Sequence, residues 1–439
     1  MITLRDYQQE LYDKVRQSMA SGHRRVLCVA PCGSGKTFVL AKMAENTKGT
    51  VLVLTHRKEL KEQTSALLPP NAEVAMILTE ARHLGERPTP RLIITDEAHL
   101  SRSPSWMKVL DYYDTYTVGF TATPVRLDGK PLGDMYEDLV QGVGVKWLIE
   151  NHRLSPFRYF APAVVDTDDL VPHGGDYVIH DLDELMSDRA IYSDVWKSWE
   201  RLAYGQKTIA YCVSIERAKQ TAEMFREHGI SAVELDSTTP DGRRKEVMDD
   251  FRSGKYTVLC NVGIISEGVS IDDVTCCLLL RPTESHALYW QQAMRCMRYL
   301  PDKVATIIDC VGNYSRNPMP DEDIVWSLTE SPKKPKRMTP EGNFSIRSCP
   351  KCFRVFPGNL SVCPFCGAEY GLKPREIKAH KDIELQEITA QEALQAEQKR
   401  KELRREQGKA RSLQELLQIA RQRGYNPRWA YMVYRSRGG

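Results

Sequence analysis

Short apolar, β-branched runs recur along the chain at strand length, separated by longer segments with helical spacing of apolar positions. RRVLCVA (24–30), TVLVLT (50–55), RLIIT (91–95) and YTVGF (116–120) read as buried strands, and TFVLAKMAENT and RKELKEQTSALL read as helices between them. The alternation lapses over roughly 160–190, which is acidic and loop-rich (DTDDLVPHGGD). It resumes with KTIAYCV (207–213), SAVELD (231–236), YTVLCNV (256–262), VTCCLLL (274–280) and VATIIDC (304–310). Strands alternating with helices imply parallel α/β architecture. The pattern predicts an α/β lobe over 1–150, a connector over 151–194 and a second lobe over 195–330. SPKKPKRMTP then opens a basic linker over 331–345, followed by a cysteine module over 346–371 and a basic helical segment over 372–439.

A length of 439 residues fits two or three domains. With 41% hydrophobic and 27% charged residues, the balance is that of a globular protein, and no run of 18 apolar residues suggests a membrane span. The first residues, MITLRDYQQELYDKV, do not read as a secretory signal. Of twelve cysteines, eight are scattered, mostly inside apolar runs, and read as small buried hydrophobes in a reducing compartment. The expected setting is the cytoplasm of a bacterial or phage-infected cell. The net charge of +3 is unevenly spread: residues 372–439 hold 16 Lys/Arg against 9 Asp/Glu, which leaves the rest of the chain slightly acidic. A basic tail on a near-neutral body points to an anionic partner, nucleic acid first. The same count also fits a solvated helix with interspersed charges.

APCGSGKT (30–37) follows a predicted strand and opens a predicted helix, the setting a phosphate-binding loop requires. Gly33 and Gly35 let the backbone around Ser34 turn its N–H groups inward around phosphates. Lys36 can reach the β- and γ-phosphates, and the Thr37 hydroxyl can ligate Mg²⁺. Ala30 stands where the first glycine is usual. IITDEAH (93–99) ends another predicted strand and places two acids at its carboxyl end, on the same crevice. Asp96 is the expected Mg²⁺ holder and Glu97 the group that orients the attacking water.

With these two motifs some 60 residues apart, the chain resembles the superfamily 2 DEAD/DEAH-box helicases, and matching motifs cover most of residues 4–300. In appearance it is similar to RadD-like and phage-type DNA helicases with a C-terminal zinc ribbon, through RPTESHALYWQQ (281–292) and IARQRGYNPRWAYMVYRSR. The resemblance implies two RecA-like parallel-sheet lobes with ATP and Mg²⁺ between them, hydrolysis being coupled to strand movement. LRDYQ (4–8) implies an adenine-reading Gln8 with Arg5 beside it. VLTHRKEL (53–60) implies nucleic-acid contacts by Thr55, His56 and Arg57, and LTEARHL (78–84) implies one by Thr79. His99 of the DEAH box and Thr121 and Thr123 of TATP (121–124) would couple hydrolysis to lobe movement. ISEGVSI (265–271) supplies Gly268 as a nucleotide sensor, with Ser270 where aspartate is usual. In YWQQAMRCMRYL (289–300), Gln291, Arg295 and Arg298 take the polar roles at the γ-phosphate. Met294 stands there in place of the usual glycine and Cys296 in place of another small residue, while the arginines, three apart, are expected on one helical face.

CPKC (349–352) and CPFCG (363–367) pair two C-x2-C knuckles, so Cys349, Cys352, Cys363 and Cys366 are expected to hold Zn²⁺ in a closed tetrahedral site. In the tail, Tyr425, Trp429, Tyr431 and Tyr434 alternate with Arg428, Arg435 and Arg437. The aromatics suit a small core and the arginines suit phosphates. The function implied is an ATP-dependent helicase or translocase in replication, recombination or repair. DNA is the expected partner ahead of RNA, single-strand-binding or nuclease proteins are further partners, and no membrane is expected. Alternatives are a weakly hydrolysing nucleic-acid clamp, the motor subunit of a nuclease or restriction assembly, and an RNA helicase.

Overall fold

The computed structural model describes residues 2–56, 64–126, 130–161, 191–263, 271–315, 317–330, 346–349, 354–357, 360, 362–368, 410, 412–423 and 434. Within them, two six-stranded sheets form the body. The first contains β1 (Arg25–Val29), β2 (Val51–Thr55), β3 (Ala72–Met76), β4 (Leu92–Asp96), β5 (Tyr116–Thr121) and β6 (Asp138–Gln141), in the order β3-β2-β4-β5-β1-β6. The second contains β7 (Phe157–Phe160), β8 (Thr208–Tyr211), β9 (Ala232–Leu235), β10 (Val258–Asn261), β11 (Cys276–Leu279) and β12 (Ala305–Asp309), in the order β7-β12-β11-β8-β10-β9. Every strand pair in both sheets is parallel.

Alternate residues of one strand feed different apolar clusters. On β1, Val26 and Cys28 pack in one cluster, with α2 (Lys36–Glu45), while Leu27 and Val29 pack in the other. A strand covered on both faces has no polar side to show, which is why these segments read as continuous hydrophobic runs. Side-chain caps fix helix starts locally. Ser214 Oγ accepts from Arg217 N–H at 3.3 Å, and Ser285 Oγ accepts from Leu288 N–H at 3.4 Å to open α3 (His286–Ala293).

Two boundaries differ from the sequence expectation. The span read as a connector contains β7, which pairs with β12 as an edge strand of the second sheet, and the helix Ile191–Ala203 begins before residue 195. The end of the second lobe also returns to the first. Gly133 N–H donates to Leu328 O at 2.9 Å. The Gln141 side chain donates to Ile324 O at 2.8 Å and accepts from Trp326 N–H at 3.2 Å. Trp326 is buried edge-on against Trp290 of α3, 6.0 Å between ring centroids. Residues 324–328 thus strap the far end of the second lobe to the edge strand β6.

The cysteine module is built on an antiparallel hairpin of β13 (Ile346–Ser348) and β14 (Val355–Pro357). Residues 372–439 form a separate compact unit, in which the helix Leu413–Arg423 buries Leu416 and Ile419 with Ala410 and gathers Tyr434. Tyr434 therefore serves the small core. Several sequence expectations lie outside the described residues: Arg57, Gly268, Ser270, Cys352, the basic linker, and the tail's Tyr425, Arg428, Trp429, Tyr431, Arg435 and Arg437.

Candidate functional site

The phosphate loop leaves β1 and re-enters structure at Lys36, the first residue of α2. Gly33 (φ +80°) and Gly35 (φ +83°) both sit in the left-handed region. A Cβ at Gly35 would lie 2.3 Å from Gln8 Nε2, so a side chain there would adopt a strained backbone and push the Gln8 amide off the loop. Tyr7 and Gln8, on α1 (Asp6–Ala20), fasten the loop from outside. The Tyr7 hydroxyl donates to Ser34 O at 2.9 Å and Gln8 Nε2 donates to the same oxygen at 3.1 Å. Gln8 Oε1 accepts from Arg5 N–H at 3.0 Å. Gln8 is thus the clamp that holds the loop's turn to the start of α1, a positioning role the motif resemblance does not convey. Tyr7 joins the site through this contact, and its place beside Gln8 in LRDYQ is the signal the sequence carries for it. Lys36 Nζ donates to Ala30 O and Pro31 O at 3.2 and 3.3 Å, and Thr37 is half-buried in the first turn of α2.

Asp96 ends β4 and Glu97 follows in a left-handed conformation (φ +54°), unusual for a side chain with a Cβ. Glu97 N–H donates to Asp96 Oδ1 at 3.1 Å. Burial, and then the neighbouring Glu97, push the Asp96 carboxyl up to about 6, while Lys36 opposes the shift. An acid pair so placed, with Lys36 near enough to act on it, suits a hard divalent cation with oxygen ligands. One His99 ring nitrogen lies 3.4 Å from Glu97 Oε2 and 3.4 Å from Thr121 Oγ1. Thr121 Oγ1 in turn donates to Thr123 O at 3.0 Å and accepts from Thr123 N–H at 3.2 Å. The DEAH and TATP segments are therefore one buried polar chain. Thr55 is buried at the end of β2, His56 lies near enough to lower the Asp96 carboxyl, and Thr79 is exposed on the short helix Ile77–Glu80.

The second lobe faces the phosphate loop. A cleft of about 350 Å³ is lined by Arg5, Gln8, Gly33, Ser34, Gly35 and Phe38 from the first lobe and by Asp272, Arg298 and Tyr299 from the second. Arg298 Nε lies 3.5 Å from Asp272 Oδ1. Burial and the neighbouring Arg295 hold the Arg298 guanidinium below its ordinary value, as for a cation facing too little compensating charge.

The two arginines do not share a helical face. Helix α3 stops at Ala293, a 3-10 turn spans Met294–Met297, and Arg298 is already extended (φ −56°, ψ 134°). Arg298 turns to the cleft, whereas Arg295 hydrogen-bonds the buried Tyr211 hydroxyl inside the second lobe. The turn separates them because it ends the α-helical periodicity between the two positions. Gln291 is buried on α3, and its Nε2 has no hydrogen-bond partner among the described residues. Met294 has φ −80° and ψ −3°, which any residue adopts, and its side chain is packed in the apolar cluster shared by both lobes. Its position requires no glycine. Cys296 is buried too, its thiol 3.4 Å from Ala293 O.

In the cysteine module, the sulfurs of Cys349, Cys363 and Cys366 lie within 4.8 Å of one another, with Cys349 and Cys366 3.5 Å apart. Cys349 N–H bonds Arg354 O at 2.9 Å, Cys363 N–H bonds Ala368 O at 2.8 Å, and Gly367 (φ +68°) closes the second knuckle on Cys363 O at 3.0 Å. Three thiols gathered this way suit a soft tetrahedral cation.

Family comparisons agree with this architecture. The model described as "Type III restriction enzyme, res subunit" matches residues 1–76 and 73–126, and "Helicase conserved C-terminal domain" matches residues 192–300. A 51.5 kDa protein of Lactococcus phage (isolate 7-9) is 36% identical over 370 residues, covering 82% of this chain and 81% of the phage protein. IRC3 of Saccharomyces cerevisiae, named as an ATP-dependent helicase, is 27% identical over 354 residues, which cover 70% of this chain but 51% of IRC3. A fragment of an HsdR subunit of a type I restriction enzyme from Vibrio vulnificus YJ016 shares the fold with a TM-score of 0.56 at 20% identity, covering 71% of this chain and 64% of that one. The chain belongs to the superfamily 2 helicases. It is an ATP-dependent motor of that class, hence an ATP hydrolase, and the class works with ATP and Mg²⁺. No helix among the described residues is long and apolar enough to cross a membrane.

Two outcomes are expected. Met294→Gly removes a buried side chain and should destabilise the fold by about 2–5 kcal/mol with no gain in turnover; faster ATP hydrolysis at unchanged stability would show that the family glycine matters here after all. Asp96→Asn should raise the thermal midpoint of the nucleotide-free protein at pH 7–8, because the wild type must keep a strained carboxylate charged. Sign and window follow from a folded value of about 6 above the ordinary 3.8: the penalty is full above pH 6 and fades toward pH 4. The melting difference between the two proteins should shrink over that range, and a difference constant with pH would contradict the charge strain.

Proposed function

We propose that the chain is a DNA-directed motor that hydrolyses ATP in the cleft between its lobes, with Arg298 acting across the cleft from the phosphate loop. One observation carries the reading: Arg298 of the second lobe lines the same cleft as Gly33, Ser34 and Gly35 of the first. Backbone N–H groups of the loop and Lys36 would bind the phosphates, and Thr37 and Asp96 would hold Mg²⁺, which neutralises developing phosphate charge. Glu97 would orient the attacking water. A change in charge at Glu97 is felt at His99, Thr121 and Thr123, which gives hydrolysis a route to the seam between lobes. Cys349, Cys363 and Cys366, with Cys352, would hold one structural Zn²⁺. A first lobe that matches restriction-enzyme motor subunits favours DNA over RNA. The same match favours a second reading, the motor of a restriction-type assembly with partner subunits, which co-purification of a nuclease or methyltransferase subunit would support.

Lys36→Ala and Glu97→Gln should abolish nucleic-acid-stimulated ATP hydrolysis with the fold intact by circular dichroism. Arg298→Ala should slow it by roughly 10³-fold or more; wild-type turnover in that variant would remove the arginine's role. Across single-stranded, duplex and forked DNA and RNA, DNA should stimulate more strongly, and stimulation by RNA alone would reverse the partner. Metal analysis should find one zinc per chain, lost in Cys363→Ser. A chain that purifies without metal and folds normally would overturn the zinc assignment.

A further inference from the structure

The cysteine module is joined to the motor, and the junction has a surface the motor does not use. Arg354, just before β14, forms an antiparallel bridge with Phe160, the last residue of the edge strand β7. Its guanidinium carbon lies 5.9 Å from the Phe160 ring centroid and 4.9 Å from that of Phe365, in the second knuckle. Arg158 approaches the same Phe160 ring at 5.7 Å. Between module and lobe runs a groove of about 280 Å³ whose lining includes Phe157, Arg158, Asp321, Arg354 and Phe365. Phe365 remains 50% exposed, although a module this small has few apolar groups to fill its own core.

We propose that this groove is a second nucleic-acid site, taking one unpaired base of a single strand, stacked on the free side of Phe365, with its phosphate toward Arg158 and Arg354. The proposal rests on the motor reading above and concerns a surface apart from the nucleotide cleft. The chemistry is specific. An arginine already stacked on a ring continues into an aromatic–base stack without rearrangement, and a base offers the flat π-face such a ring accepts. Two guanidinium groups around one ring, neither with an ion pair among the described residues, are a like-charge arrangement that an anion relieves. The groove also offers Asp321 as an acceptor for an exocyclic base amine. Bases in a duplex are stacked and paired, so a slot for one flat group selects single strands. An acidic peptide would match the arginines but would not need the exposed ring.

The test uses the full-length protein and a 20-nucleotide oligothymidylate carrying a single 5-iodouracil. Photo-cross-linking of the wild type should yield a nucleotide adduct on the peptide that contains Phe365; adducts confined to lobe peptides would overturn the proposal, and this arm needs no variant to fold. In fluorescence anisotropy, Phe365→Ala and Arg354→Ala should weaken binding of the same oligonucleotide roughly 5- to 150-fold. Phe365→Trp should restore it, and ATP hydrolysis without nucleic acid and zinc content should not change. Undiminished single-strand affinity in Phe365→Ala would sink the groove while leaving the motor standing. A wild type that binds no nucleic acid would instead sink the motor reading. Displacement of the oligonucleotide from the wild type by a poly-glutamate peptide at matched charge, with the two arginine and phenylalanine variants equally displaced, would assign the binding to charge alone and overturn the stack.

Discussion

The left-handed turn at Gly33 and Gly35 is the constraint on which the site depends. It reverses the chain after β1 and sets the direction in which α2 leaves. Within the loop, Ser34 Oγ and Lys36 Nζ both bond Pro31 O, and Ala30 N–H ties the loop's start to Thr121 O of β5. Tyr7 and Gln8 add a grip from outside, two donors on one carbonyl, so α1 is part of the phosphate site even though it lies before the sheet begins. The cleft then needs only a second wall, which the second lobe provides through Asp272 and Arg298.

Around that turn, the protein holds charge in places where water would relieve it. Asp96 and Glu97 are adjacent and mostly buried, Glu97 has an unfavourable backbone angle, and Arg298 is deprived of full compensation from the other side. Such arrangements persist where the surrounding fold over-determines them and a ligand of the opposite charge is part of the design. The cleft wall also carries Arg5 from the first lobe and Arg298 from the second, so a polyphosphate there meets cations from both.

Much of this was legible in the sequence, for a definite reason. Strands such as VLCV and CCLL are buried on both faces, so the hydrophobic run is the strand. The phosphate loop, the acid pair and the cysteine knuckles are likewise local, each set by a few neighbours in sequence. What could not be read depended on distant partners. Strands β3 and β7 carry Glu73 and Arg158 and lie at sheet edges, where one side has no neighbour to demand apolar residues. The strap at 324–328 is defined by backbone groups that meet Gln141 and Gly133 nearly two hundred residues away. The divergence of Arg295 and Arg298 depends on where α3 ends, and helix ends are weakly encoded. Met294 is anomalous only against a pattern that needs a glycine's backbone; at φ −80° it is an ordinary core residue.

The path of the chain between lobes has a mechanical consequence. After the first sheet, the chain crosses to the second at β7, returns to β6 through Ile324 and Trp326, and reaches the second lobe once more where Arg354 meets Phe160. The lobes are therefore joined at two places along the chain, at β7 and at the 324–328 strap, and the cysteine module is stitched to the second lobe besides. A joint made at more than one place shares between its stitches any load that would draw the lobes apart.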